Sequence, residues 1–99
     1  MRYKVELPAD VERFVRACSP EDENAFWEAL KEVRRNPIGA SLPIRDPRLS
    51  RYMARFFRFG PHVAVFRLDV GRDTIRVMEC RRAQPPEDVE PAPPSTPDG

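Results

Sequence analysis

The chain has 99 residues and a mass of 11.5 kDa, which suits one small domain with a single core, since domains usually run to about 100–150 residues. No apolar run approaches the ~18 residues of a membrane span, and the amino terminus, Met1-Arg2-Tyr3-Lys4-Val5-Glu6, lacks the apolar stretch of a secretory signal, so a cytoplasmic protein is expected. Two cysteines, Cys18 and Cys80, and one histidine speak against a disulfide scaffold and a zinc site, and no metal or cofactor is expected.

The net charge of +1 conceals a partition: residues 1–44 balance at −1, residues 45–83 at +6 and residues 84–99 at −4. Every cation of the central block is an arginine, always charged and shaped as a planar fork that suits phosphate. An anionic partner, nucleic acid first, follows from that excess. Residues 84–99 are proline-rich and acidic, hold no aromatic residue and have Val89 as their one branched aliphatic, so a folded domain over 1–83 and a disordered tail over 84–99 are expected. Opposite charge would let that tail lie across the arginines as a weak shield.

Arg2 to Leu7 alternates strictly, with Tyr3, Val5 and Leu7 on one side, and predicts a half-buried strand at a sheet edge or in an antiparallel pair. Pro8 ends it. Val11, Phe14, Val15 and Cys18 then recur at helical spacing, predicting a short amphipathic helix that opens near Asp10, a candidate cap. Ser19-Pro20-Glu21-Asp22 is a second helix start: a serine cap, a proline in the first turn and carboxylates that complement the positive helix end. Phe26, Ala29, Leu30 and Val33 trace its apolar path, and Asn36-Pro37 forbids continuation. The connector 38–49 reads as irregular. Strands are predicted over 51–59, 62–68 and 74–80, separated by Gly60-Pro61 and by the turn residues of 69–73. The expected class is α+β, in the order β-α-α-β-β-β, with an antiparallel-dominated sheet and a helical hairpin on one face.

Alternation divides the sheet into two sides. Tyr52, Ala54, Phe56, Ala64, Phe66, Leu68, Ile75 and Val77 are expected beneath the helices. The other side would show Arg51, Arg55, Arg67, Arg76 and Arg82, interleaved with Met53, Phe57, Val63, Val65, Met78 and Cys80. Guanidinium forks can hold phosphates or stack on bases there, with apolar neighbours meeting ribose and base. Surface ion pairs are the alternative, although residues 45–83 hold four acids against ten arginines. Arg58 and Arg81 add to the candidate nucleic-acid contacts.

A strand, a helical hairpin ending in Asn-Pro, then Arg55-Phe56-Phe57-Arg58-Phe59-Gly60, Val63-Ala64-Val65-Phe66 and a last strand running into Arg81-Arg82 resemble the RelE/ParE superfamily, small toxins of bacterial type II toxin–antitoxin pairs. The resemblance covers residues 2–83. It implies a compact microbial-ribonuclease-like fold, a cognate antitoxin, and one of two activities: ribosome-dependent messenger RNA cleavage without metal, or poisoning of DNA gyrase. Family members often read Gly-x-Tyr-Arg-x-x-Tyr at the second meander strand. Here the stretch is Gly60-Pro61-His62-Val63-Ala64-Val65-Phe66, which puts Val63 where the arginine is expected. Ala83-Gln84-Pro85-Pro86 likewise stands where a tyrosine should follow. The resemblance carries a catalytic role to Arg55 and to Arg82, with Arg81 as the alternative match at the basic end of the last strand. His62 joins them on chemical grounds, since an imidazole with a pKa of about 6.5 can move a proton. A strand-edge histidine satisfied by the backbone, and a catalytically silent relative that binds a nucleic acid or a protein, remain the alternatives.

Overall fold

The computed structural model describes residues 2–44 and 54–83. Arg51 and the tail 84–99 lie outside the described residues. The chain runs through β1 (Lys4–Glu6), α1 (Ala9–Arg16), α2 (Pro20–Arg35), β2 (Leu42–Pro43), β3 (Ala54–Phe59), β4 (His62–Asp69), a single 3-10 turn (Val70–Arg72) and β5 (Thr74–Arg82). Among the described residues no helix is long and apolar enough to cross a membrane.

Local chemistry sets the helices. Asp22 N–H donates to Ser19 Oγ at 3.1 Å, and Pro20 occupies the first turn where its missing N–H costs nothing. At α1 the expected Asp10 cap is absent. Pro8 is the cap residue and makes no side-chain bond, while Asp10 sits within the first turn, where its charge still complements the helix end. The far end of α2 is tied to the first strand by a reciprocal clamp: Tyr3 N–H donates to Arg34 O at 3.1 Å and Arg34 Nε to Tyr3 O at 3.0 Å.

The strands form one sheet in the order β1-β5-β4-β3-β2. The predicted meander is present as antiparallel β3, β4 and β5, with β1 on one edge, parallel to β5. The connector adds β2, two residues that pair Leu42 with Phe56 and Pro43 with Arg55. A proline is tolerated there because β2 is the outer edge, where no ladder donor is required.

Each sheet face carries a hydrophobic cluster. Val11, Val15, Phe26, Leu30 and Val33 of the helices pack on Phe57, Phe59, Ala64, Phe66, Leu68, Ile75 and Val77. On the other face Ile44, Ala54, Phe56, Val63 and Val65 form a smaller core, with Met78 and Ala83 against it. The β4 and early β5 expectations hold. The β3 expectation is reversed: Phe57 and Phe59 lie under the helices, and Ala54 and Phe56 face away. In β5 a register irregularity opposite Val65 and Phe66 pairs Val65 with Glu79 and Phe66 with Val77, leaving Met78 as the extra residue. A bulge exchanges the faces of everything after it. Cys80 therefore packs against the helix-side core, and Glu79 and Arg81 turn to the outer face.

Candidate nucleic-acid interface

Cross-strand pairing arranges the outer face in three rows. Arg58, Val63 and Arg81 form the first, Phe56, Val65 and Glu79 the second, and Ala54, Arg67, Arg76 and Glu6 the third. Four of the predicted arginines converge here. Arg58, Arg67 and Arg76 are exposed, whereas Val63 and Val65 between them have no exposed surface. The apolar positions are thus a dry floor beneath Ile44, Met78 and Ala83, and not the base-stacking platform that alternation suggested. Arg58 and Arg81 flank Val63 along the ladder, and Arg67 and Arg76 follow in the third row.

Among the described residues Glu6, Glu79 and, at the end of β4, Asp69 share the face. Arg76 Nε lies 2.7 Å from Glu6 Oε1, and Arg81 Nε lies 3.0 Å from Glu79 Oε2. Arg67 is directly opposite Arg76, and its side chain makes no ion pair or hydrogen bond with another described residue. Like charges facing each other across a ladder repel. An outside anion that meets both relieves this.

The catalytic set expected from the sequence does not reach the arginine face, although two of its members, His62 and Arg82, stand directly opposite each other. Arg55 pairs with Phe66 on the helix side, where its Nε donates to Ser41 Oγ at 2.6 Å and its Nη2 to Ser41 O at 3.0 Å and Ile38 O at 3.2 Å. It fastens the connector after α2 to the sheet. Arg82 pairs with His62, also on the helix side, because the bulge exchanged its face with that of Arg81. Of the five arginines expected on this face, Arg55 and Arg82 are placed on the other and Arg51 lies outside the described residues; among the described residues the face carries Arg58, Arg67, Arg76 and Arg81.

His62 is held among the helices. Its Nε2 is 3.6 Å from Asp22 Oδ2, its ring meets Phe14 edge-on at 5.2 Å, and it is tilted on Phe59 at 5.2 Å. The side chain is 16% exposed, and Nδ1 is buried without a partner in the structure. Gly60 makes room for this arrangement: its φ is +59°, and a Cβ there would fall 2.3 Å from Asp22 Oδ1. His62 thus joins the β3–β4 turn to both helices, with the sheet between it and the arginine face.

The thiols belong to the helix side as well. Burial pushes the Cys80 thiol up to about 12 from 9.0, and the neighbouring Cys18, Glu79 and Asp10 add to the rise. Burial, then Asp22 and Glu23, also raises Cys18. A raised thiol favours the protonated folded form, so its contribution is complete below the unfolded pKa and is lost as pH climbs through the folded one. Chemical denaturation midpoints are accordingly expected to fall between pH 9.0 and about 12. In Cys80→Ala this decline should be visibly shallower, and an unchanged decline would show that Cys80 does not drive it. Among the described residues no group of three or more His, Cys, Asp or Glu side chains is arranged to hold a metal.

These features define a small α+β protein with a helical hairpin on one face of a mixed sheet and arginines on the other. The fold is that of the RelE toxins. The toxin–antitoxin complex RelBE2 from Mycobacterium tuberculosis contains a chain similar at a TM-score of 0.69 and 20% identity, over 84% of this chain and 100% of that one. A mutant of the E. coli toxin RelE in the free state matches at 0.65 and 15%, over 85% and 86%. The archaeal RelE–RelB complex from Pyrococcus horikoshii matches at 0.64 and 12%, over 83% and 96%. No protein-family model matches the sequence, and no curated protein matches it.

Proposed function

We propose that the chain is the toxin of a toxin–antitoxin pair and that its outer sheet face binds RNA, alone or on the ribosome. The observation that carries this reading is the convergence of Arg58, Arg67, Arg76 and Arg81 on one face of a RelE toxin fold. An antitoxin partner is supported by two similar chains having been solved with theirs, one a toxin–antitoxin complex and the other RelE–RelB. Four arginines around a buried apolar floor suit a single-stranded phosphate backbone. Val63 to Arg67 spans four residues of β4, about 13 Å at roughly 3.3 Å per residue, so the two arginine rows can meet different phosphates of one strand.

The test is fluorescence anisotropy with a labelled single-stranded RNA at several salt concentrations. Each phosphate contact on a single strand contributes about −0.7 to the slope of log affinity against log salt. Four contacts should give a slope of about −3, and Arg67→Gln with Arg76→Gln should bring it to about −1.5. A slope near zero in the unsubstituted protein would remove nucleic acid as the partner. A binding-only toxin is the second reading, favoured by the placement of Arg55, Arg82 and His62 away from the arginine face.

A further inference from the structure

His62 lies on the helix side and the sequence has no tyrosine after Arg82, yet the outer face holds a group that can accept a proton. Glu79 stands there because of the bulge at Met78. In unbroken alternation it would share the helix side with Ile75 and Val77, and instead it pairs with Val65 on the arginine face. Its carboxylate is held by Arg81, with Nε to Oε2 at 3.0 Å, and its side chain is 49% exposed. Two residues along the ladder is Val63, flanked by Arg58 and Arg81. Neighbouring strands lie about 4.8 Å apart and two residues span about 7 Å, so a phosphate between Arg58 and Arg81 has its ribose within reach of Glu79. The other outer-face carboxylates among the described residues lie farther off: Glu6 in the third row, held by Arg76, and Asp69 opposite Thr74 at the end of β4, beside Arg72.

We infer that Glu79 is the general base of an RNA-cleaving site in which Arg58 and Arg81 hold the scissile phosphate; this rests on the RNA-binding reading above. In the step, a Glu79 oxygen takes the proton of the ribose 2′-hydroxyl, the freed oxygen bonds to phosphorus, and the bond from phosphorus to the 5′-oxygen breaks. The leaving oxygen takes a proton from water, and Glu79 later returns its own to solvent. The products are a 2′,3′-cyclic phosphate end and a 5′-hydroxyl end, with no change of oxidation state. The arginines stabilise the charge that develops on phosphorus, and the dry floor of Val63 and Val65 strengthens that interaction by keeping the local dielectric low. Arg81 fixes the carboxylate through a charge-assisted bond, so less rotamer freedom is lost when substrate arrives.

The full chain is assayed with ribosomes and a defined transcript by primer extension, beside anisotropy with the same labelled RNA. General-base removal typically costs about 100- to 10,000-fold in rate. Glu79→Gln should lose cleavage on that scale while RNA affinity does not fall, because the amide keeps the size of the side chain and removes a negative charge from the arginine face. Glu79→Asp should retain measurable cleavage, since it keeps a carboxylate on the same face. Native-rate cleavage by Glu79→Gln, or salt-dependent RNA binding with no cuts in the native chain, overturns the base assignment and leaves RNA binding standing. No RNA binding at all removes both.

Discussion

Phe26→Ala is expected to destabilise the protein by about 3–5 kcal/mol, the range for removing a fully buried aromatic ring. Phe26 has no exposed surface, and its ring meets Trp27 at 4.9 Å, Phe59 at 5.1 Å and Phe57 at 5.8 Å. It is the point at which α2 grips β3. A domain this small has a total stability of about 5–15 kcal/mol and loses roughly 4–8 °C of Tm per kcal/mol, so thermal melting should drop by at least about 12 °C. Ile38, 55% exposed, supplies the control: Ile38→Ala should stay within about 0.5 kcal/mol. A loss below about 1.5 kcal/mol at Phe26 would contradict the described packing of hairpin on sheet. The arginine rows lie on the other side of the sheet, so the folded fraction of Phe26→Ala should keep the native salt dependence of RNA binding. Urea denaturation and the anisotropy assay together check both halves of the expectation.

That packing also shows where local chemistry ends as a guide. Ser19 and Pro20 start α2 through bonds made within one turn, and the pattern of Ala64, Phe66 and Leu68 faces one buried side along an unbroken strand. Both features are legible because their causes are near in sequence. In β3 the adjacent Phe56 and Phe57 are both buried, one on each face, so alternation alone cannot say which belongs under the helices. The deciding partners are Ile44 on one side and Phe26 on the other, both distant in the chain. The pairing of β1 with β5 and the two-residue β2 are likewise set by tertiary contact. The bulge in β5 is the consequential omission. It has no glycine to announce it, and it exchanges Arg82 for Arg81 and brings Glu79 to the arginine face. Arginine abundance in residues 45–83 is visible in the sequence, while which arginines share a face depends on register, which only the assembled sheet determines.

Val63→Arg would place at this position the residue that RelE-like sequences often carry, and it is expected to unfold the protein instead of creating a cleavage site. Val63 has no exposed surface and belongs to the outer-face core with Ile44, Phe56 and Val65. A guanidinium there would have to displace that cover or remain buried, and an unpaired buried charge costs several kcal/mol. Its row neighbours worsen the balance. Arg58 and Arg81 are its direct partners on β3 and β5, so three cations would stand in one row with neighbouring Cβ atoms about 4.5–5.5 Å apart. The expected loss is about 3 kcal/mol or more by urea denaturation, with no gain in transcript cleavage per folded molecule. Val63→Ile, which adds one methylene without charge, should cost less than about 1.5 kcal/mol and leave RNA affinity unchanged. A stable, faster-cutting Val63→Arg protein would mean that the apolar floor opens readily and that the arginine geometry is set by something other than the buried row. The substitution thus separates two ways of organising a cationic sheet face: arginines mounted around a rigid dry centre, and a centre that itself supplies the charge.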